Sequence, residues 1–128
     1  MGGDYSDVTC SGLETIEDGV SNPLIGDYAW YCGNNSPNDV KSVAQKLPNG
    51  FGLYDMHGNL WEWTADWWGS SGVATGVNPW NTDTETRRVI RGGGYNSNMS
   101  SIAASKRYFN NPFNSYFTFG VRLVFRAP

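Results

Sequence analysis

Charge is scarce in this chain, and histidine more so. Of 128 residues only 9 are Lys or Arg and 12 are Asp or Glu, for a net charge of −3, and His57 is the one histidine. The basic residues are scattered along the sequence. A groove that follows a phosphate backbone needs them clustered, so nucleic acid is not an expected partner. One histidine cannot build a histidine-rich metal site. No Gly-x-Ser-x-Gly elbow surrounds any serine, so a hydrolase triad is not expected either, and His57 reads as a surface residue of a turn. No apolar run approaches the ~20 residues of a membrane span. Met1-Gly2-Gly3-Asp4 does not open like a signal peptide, and the chain reads as soluble. There are two cysteines, Cys10 and Cys32; a disulfide closing a long N-terminal loop and two free thiols both stay open, and no Cys-x-x-Cys points to zinc or thiol redox work.

Aromatic rings are plentiful: six Trp, seven Tyr and six Phe. A core at this length is therefore built largely from rings, with some left for the surface. The expected organisation is a single domain over 1–128. Residues 1–50 are dense in turn formers, with a short helix possible over 13–20 and a packed segment at Tyr28-Ala29-Trp30-Tyr31. Residues 51–56 suit a helical turn or an irregular lead-in. Residues 60–68 alternate as a strand, with Trp61, Trp63 and Ala65 on the face expected to be buried. A polar loop over 69–86 follows, then a strand over 87–91. Gly92-Gly93-Gly94 is expected to take positive φ or to meet other backbone closely. Residues 101–107 suit a short strand or a turn, and 119–125 a final strand with Val121, Leu123 and Phe125 on one face.

The segment 95–118 stands apart because Asn, Ser, Tyr, Phe and Thr make up nearly all of it. It reads as loop held between two strands. Asn and Ser alone would suit a solvated loop. Tyr108, Phe109, Phe113, Tyr116 and Phe117 are costly to leave wet, and rings mixed with small hydrogen-bonding residues have the composition of an antibody-like contact surface. The expected ligand is a protein or a glycan.

Carboxylates offer little acid/base chemistry that spacing alone can establish. Asp55 with Glu62, and Glu62 with Asp66, are pairs whose separation the sequence leaves open. The turn Asp55-Met56-His57-Gly58-Asn59-Leu60-Trp61-Glu62 also suits a hard cation, since a turn converges carbonyls while carboxylates add charge; a plain hydrogen-bonded turn is the other reading.

Three blocks carry a family resemblance: Asn49-Gly50-Phe51-Gly52-Leu53-Tyr54-Asp55-Met56-His57-Gly58-Asn59-Leu60-Trp61-Glu62-Trp63-Thr64, Arg88-Val89-Ile90-Arg91-Gly92-Gly93-Gly94-Tyr95, and Phe119-Gly120-Val121-Arg122-Leu123. In order and spacing they resemble the formylglycine-generating enzyme, or sulfatase-modifying factor, family. The resemblance implies an α+β, C-type lectin-like fold in reduced form, with short antiparallel strands and extensive irregular loops. It implies Ca²⁺ held at Asp55, Gly58, Leu60 and Glu62. The reactive cysteine pair of the family's enzymes falls here on Ser97 and Ile102, which cannot act as thiolates, so formylglycine generation and a copper site are not expected. The family's iron branches need more histidines than this chain has.

Nothing in residues 1–27 matches the N-terminal portion of the full enzymes, so the chain is expected to be a reduced domain or a fragment. Its last strand would then have an edge for a second chain or another copy to cover. The resemblance extends to the variable proteins of diversity-generating retroelements, whose C-terminal repeats change at adenines. Asn96, Ser97, Asn98, Tyr108, Phe109, Asn110, Asn111, Asn114, Tyr116, Phe117 and Thr118 are each Asn or reachable from an Asn codon by such changes. With Ser101 they form the expected contact set, while Arg91, Gly92, Gly93, Gly120 and Arg122 keep the family form. The expected function is a non-catalytic binding domain. A divergent oxidoreductase of the same family and a structural or regulatory remnant are the alternatives, and extracellular, cell-surface and phage-associated settings all stay open.

Overall fold

The computed structural model describes residues 25–69, 75–76, 79 and 85–125. Within them a single helical turn, α1 (Ile25–Tyr28), precedes four strands: β1 (Trp61–Trp67), β2 (Arg88–Arg91), β3 (Tyr108–Asn110) and β4 (Phe119–Gly120). They form one sheet in the order β3-β2-β1-β4. The β1/β2 and β2/β3 pairs are antiparallel, whereas β4 runs parallel to β1, pairing Trp61 with Phe119 and Glu62 with Gly120. This parallel pair is an exception to the short antiparallel strands expected, which the other two pairs are. The short strands and long irregular connections agree with it.

Rings and branched side chains make β1 a strand, but its alternation does not last. The register runs Glu62 to Arg91 and Trp63 to Ile90, then shifts so that Trp67 faces Arg88. Thr64 supports this bulge: its hydroxyl donates to the Val89 carbonyl at 3.1 Å and accepts from the Asp66 amide at 3.3 Å. The extra residues turn the strand over, so Trp61 is buried, Trp63 is half-buried and Ala65 is exposed. The expected Trp61-Trp63-Ala65 inner face thus holds only at its start.

The core lies where the sheet meets the irregular segments. Trp61, Val89 and Ile90 are buried on the strands, and Ala29, Tyr31 and Ile102 form a buried cluster joined by Ile25. Trp61 meets Tyr108 edge to face at 4.9 Å. The packed segment at 28–31 is therefore present, with Ala29 and Tyr31 as its inward residues. Residues 51–56 form an irregular turn, where the Asn49 side-chain carbonyl accepts from the Phe51 and Leu53 amides at 2.9 and 3.1 Å. Residues 101–107 are turn.

Two expectations change further along the chain. Segment 95–118 is not loop throughout, because β3 lies within it and registers on β2 as Val89 to Phe109 and Ile90 to Tyr108. Two rings of high strand propensity beside a free β2 edge outweigh the flanking Asn. The last strand is shorter than expected: beyond Gly120 the chain leaves the sheet, and Leu123, Val124 and Phe125 are each nearly 90% exposed. Cys32 is disulfide-bonded, which decides between the two cysteine readings; Cys10, the other cysteine of the sequence, lies outside the described residues, as do the helix expected over 13–20 and most of the 69–86 loop.

Gly92 and Gly93 have φ of +89° and +79°, as the glycine run suggested. A Cβ on Gly93 would lie 2.5 Å from Ile102 Cγ2, so Gly93→Ala combines strain with a clash against the core. It should cost about 2 kcal/mol or more in denaturant unfolding. Leu123→Ser should cost less than about 0.5 kcal/mol. A larger loss for Leu123→Ser would mean that another chain covers this segment in solution.

Candidate ligand-contact surface

Residues 110–118 form a turn between β3 and β4 whose backbone is held by its own asparagines. The Asn110 side-chain carbonyl accepts from the Asn111 amide and the Asn114 side-chain amide, both at 2.8 Å. Asn111 then accepts the Phe113 amide on its side chain and the Asn114 amide on its carbonyl, each at 3.0 Å. The Phe119 amide closes the turn on the Tyr116 carbonyl at 3.1 Å. Short amides that satisfy neighbouring backbone groups shape the loop without a core beneath it. Phe113 and Phe117 project from it, 94% and 96% exposed, while Tyr116 rests edge-on against Phe119. Asn111, Asn114 and Ser115 are exposed between these rings.

Not every expected contact residue faces solvent. Ser97, Asn98, Ser101 and Asn110 are buried and work as internal brackets. The Ser97 hydroxyl accepts the Gly94 amide at 2.9 Å and its carbonyl accepts the Cys32 amide at 3.0 Å. The Asn98 side chain accepts from the Ser101 amide and the Ser100 hydroxyl, both at 2.9 Å. These four cannot touch a ligand without the loop opening. Asn96, Tyr108, Phe109 and Thr118 are half-buried, with Tyr108 edge-on to Trp61 and Phe109 tilted against Trp68. That leaves Asn111, Asn114, Tyr116 and Phe117 as the expected residues that stand open, and Phe113 joins them. Phe113 was absent from the expected set although its ring, placed among asparagines, was already conspicuous.

The surface is carried by a well-tied frame. The Arg91 guanidinium donates to the carbonyls of Lys106 and Ala104, both at 2.6 Å, and so ties the 101–107 turn to β2. Burial lowers its pKa, nearby Arg107 lowers it further, and Asp66 opposes both. His57 is no plain surface residue: its Nδ1 lies 2.7 Å from the Ile102 carbonyl. A carbonyl only accepts, so Nδ1 carries the proton and links the 55–62 turn to the core.

The turn residues Asp55, Gly58, Leu60 and Glu62 line one hollow of about 410 Å³, as their expected cation role requires. A cationic group already sits among them. Arg122 donates to both Glu62 oxygens, at 2.9 and 2.7 Å, and to the Asp55 carbonyl at 3.1 Å. The hydrogen bond to Glu62 is the main reason that the Arg122 pKa is raised. Asp55 Oδ2 accepts the Ala44 amide at 2.7 Å, which leaves Oδ1 as its one buried oxygen without a protein partner. Calcium takes about six to eight oxygens. With the Glu62 oxygens and the Asp55 carbonyl engaged by a guanidinium, calcium at this turn would have to take the place of Arg122. Among the described residues no three His, Cys, Asp or Glu side chains converge as a metal site.

The domain model for the sulfatase-modifying factor enzyme 1-like domain matches residues 2–127. The chain belongs to this family. It is 37% identical over 91 residues to the formylglycine-generating enzyme of Thermomonospora curvata, covering 65% of this chain and 30% of that protein. The chaperone protein LppX of Paenibacillus barcinonensis is 36% identical over 83 residues, again 65% of this chain and 26% of the relative. The chain thus spans about a third or less of the length of these relatives. Among solved structures, Treponema denticola variable protein 1 superposes with a TM-score of 0.70 at 29% identity, over 78% of this chain and 36% of that one. PvdO from Pseudomonas aeruginosa superposes at 0.66 with 27% identity, over 75% and 38%. The C-type lectin-like fold expected from the three sequence blocks is the fold of this family member. Among the described residues no helix is long and apolar enough to cross a membrane.

The Arg122 clasp separates two outcomes in thermal unfolding. Arg122→Gln should cost about 1–2 kcal/mol, because a bidentate, partly sheltered pair and a carbonyl bond are lost together. Adding calcium or a chelator to the unsubstituted chain should leave Tm unchanged. A rise in Tm with calcium would show that the ion displaces the guanidinium.

Proposed function

We propose that this chain is a ligand-binding member of the family, with its contact surface on residues 111–117. The observation that carries the reading is the near-complete exposure of Phe113 and Phe117 on a turn whose backbone is already satisfied by asparagines. Large rings presented on a fixed loop lose little conformational entropy on binding, and exposed amides beside them supply adaptable hydrogen bonds. The ligand is a protein or a glycan of that chemistry. Ser97 and Ile102, at the positions that the resemblance aligns with the enzymes' reactive cysteines, are buried and bear no thiol, so formylglycine generation is not the activity proposed.

The likeness to a variable protein supports a further step, that positions on this surface are replaced by retroelement-type diversification while Arg91, Gly93 and Arg122 stay fixed. The fixed residues are those that tie loops or occupy positive φ. Phe113 and Phe117 project from the turn, so replacing them leaves the fold intact, whereas Asn111, Asn114 and Tyr116 also help to shape it.

The coding DNA tests diversification: an imperfect second copy of the 91–125 segment, differing at adenines and lying beside a reverse transcriptase gene, is the expected arrangement. On protein and glycan arrays the unsubstituted chain should find a partner, and Phe113→Ala with Phe117→Ala should weaken that binding at least about tenfold with Tm unchanged. Undiminished binding by the double variant would place the contact surface elsewhere. Oxygen consumption with a thiol-containing peptide would favour an enzyme instead.

A further inference from the structure

The basic residues that are scattered in sequence are not scattered in space. Five of the chain's nine, Arg87, Arg88, Arg91, Lys106 and Arg107, gather on β2 and the approach to β3. Arg91 and Arg88 are engaged with backbone carbonyls, of Lys106 and Ala104 in one case and of Ala65 in the other. Arg87 and Arg107 are not: among the described residues neither guanidinium has an ion pair or a hydrogen bond. Each is instead mounted on a ring. Arg87 lies 4.2 Å from the centroid of Phe109, and Arg107 lies 5.0 Å from that of Trp68. The two rings touch each other, with centroids 4.7 Å apart.

A ring face attracts a guanidinium but accepts none of its in-plane N–H bonds in the way a carboxylate would. The pair is therefore positioned and still has donors to offer. Burial and Arg107 lower the pKa of Arg91 while Asp66 raises it, which agrees with the crowding of guanidinium groups along β2. On a chain of net charge −3 this is, among the described residues, a gathering of positive charge. It is also continuous with the contact surface, because Phe109 leads directly into the turn that carries Phe113 and Phe117.

We propose that Arg87 and Arg107, held on Phe109 and Trp68, dock carboxylates of an acidic protein surface whose apolar centre meets Phe113 and Phe117. This deepens the binding reading above and rests on it. Arginine and aromatic residues side by side are the composition of binding hot spots between proteins, and the guanidinium fork matches a carboxylate in two parallel hydrogen bonds. A polyanion tracked along its backbone would need a longer basic stripe than the two unbonded guanidinium groups among the described residues provide.

The test uses the whole chain with fluorescent poly-L-glutamate as probe and dextran sulfate as the comparison, at low salt. The unsubstituted chain should bind poly-L-glutamate, and Arg87→Gln with Arg107→Gln should weaken this about tenfold with Tm unchanged. Arg87→Lys with Arg107→Lys keeps the charges but loses the forks, and an intermediate affinity is expected. Phe113→Ala with Phe117→Ala should retain poly-L-glutamate binding, so the arginine site is measured apart from the ring surface. Equal binding by the glutamine variant, or no binding of poly-L-glutamate at all, overturns the arginine proposal and leaves the ring surface to its own test. Binding of dextran sulfate without poly-L-glutamate overturns it in favour of a sulfated glycan.

Discussion

The left-handed turn at Gly58-Asn59 is the constraint on which the rest of this molecule depends. Both residues have positive φ, +76° and +63°, and a Cβ on Gly58 would fall 2.0 Å from the Trp30 carbonyl oxygen. Only glycine fits there. The Gly58 amide donates to the Gly92 carbonyl at 2.7 Å and the Asn59 amide to the Trp30 carbonyl at 2.8 Å, while the Asn59 carbonyl takes the Tyr95 amide at 2.7 Å. The Asn59 side chain pairs with both backbone groups of Lys41, at 3.0 and 3.1 Å. One dipeptide therefore joins three remote stretches, at Trp30, Lys41 and 92–95, of a chain that has little regular structure. It also sets the entry of β1, and through β1 the position of β4 and the exposed turn before it.

That dependence explains what the sequence revealed. The Gly-Asn-x-Trp-Glu block and the Arg-Gly-Gly block were legible because their chemistry is local: positive φ, a ring-rich strand, glycines against backbone. The fold class followed from the family resemblance that these blocks carry. β3 was not legible because its pairing partner lies across an intervening loop and its own residues are flanked by turn formers. The β1 bulge was hidden as well, since alternation in sequence assumes an unbroken register and Thr64 breaks it. His57 looked like a surface residue until the fold brought the Ile102 carbonyl to it.

The contact surface was legible as composition and misjudged in detail. Asn and Ser look alike in sequence whether they face solvent or bracket a loop from within. Ser97, Asn98, Ser101 and Asn110 proved to be brackets, and the exposed set narrowed to residues 111–117 with Phe113 added. The cation expectation met a different obstacle. The oxygens were foreseen, but Arg122, sixty positions from Glu62, supplies the positive charge that they surround. The clustering of Arg87 and Arg107 was invisible for the same reason, since only the β2/β3 pairing brings them together.

In this family scaffold glycines, Arg91 and Arg122 tie the loops, and the rings of Phe113 and Phe117 project from a turn that rests on that frame. The most direct measurement is a library of the whole chain randomised at Phe113, Ser115 and Phe117, sorted for cooperative folding beside a second library randomised at Gly58, Arg91, Gly93 and Arg122. Most members of the first should fold with Tm near that of the parent, and few of the second should fold at all. If the first library unfolds as often as the second, the exposed turn is part of the scaffold and the division between frame and contact surface is wrong.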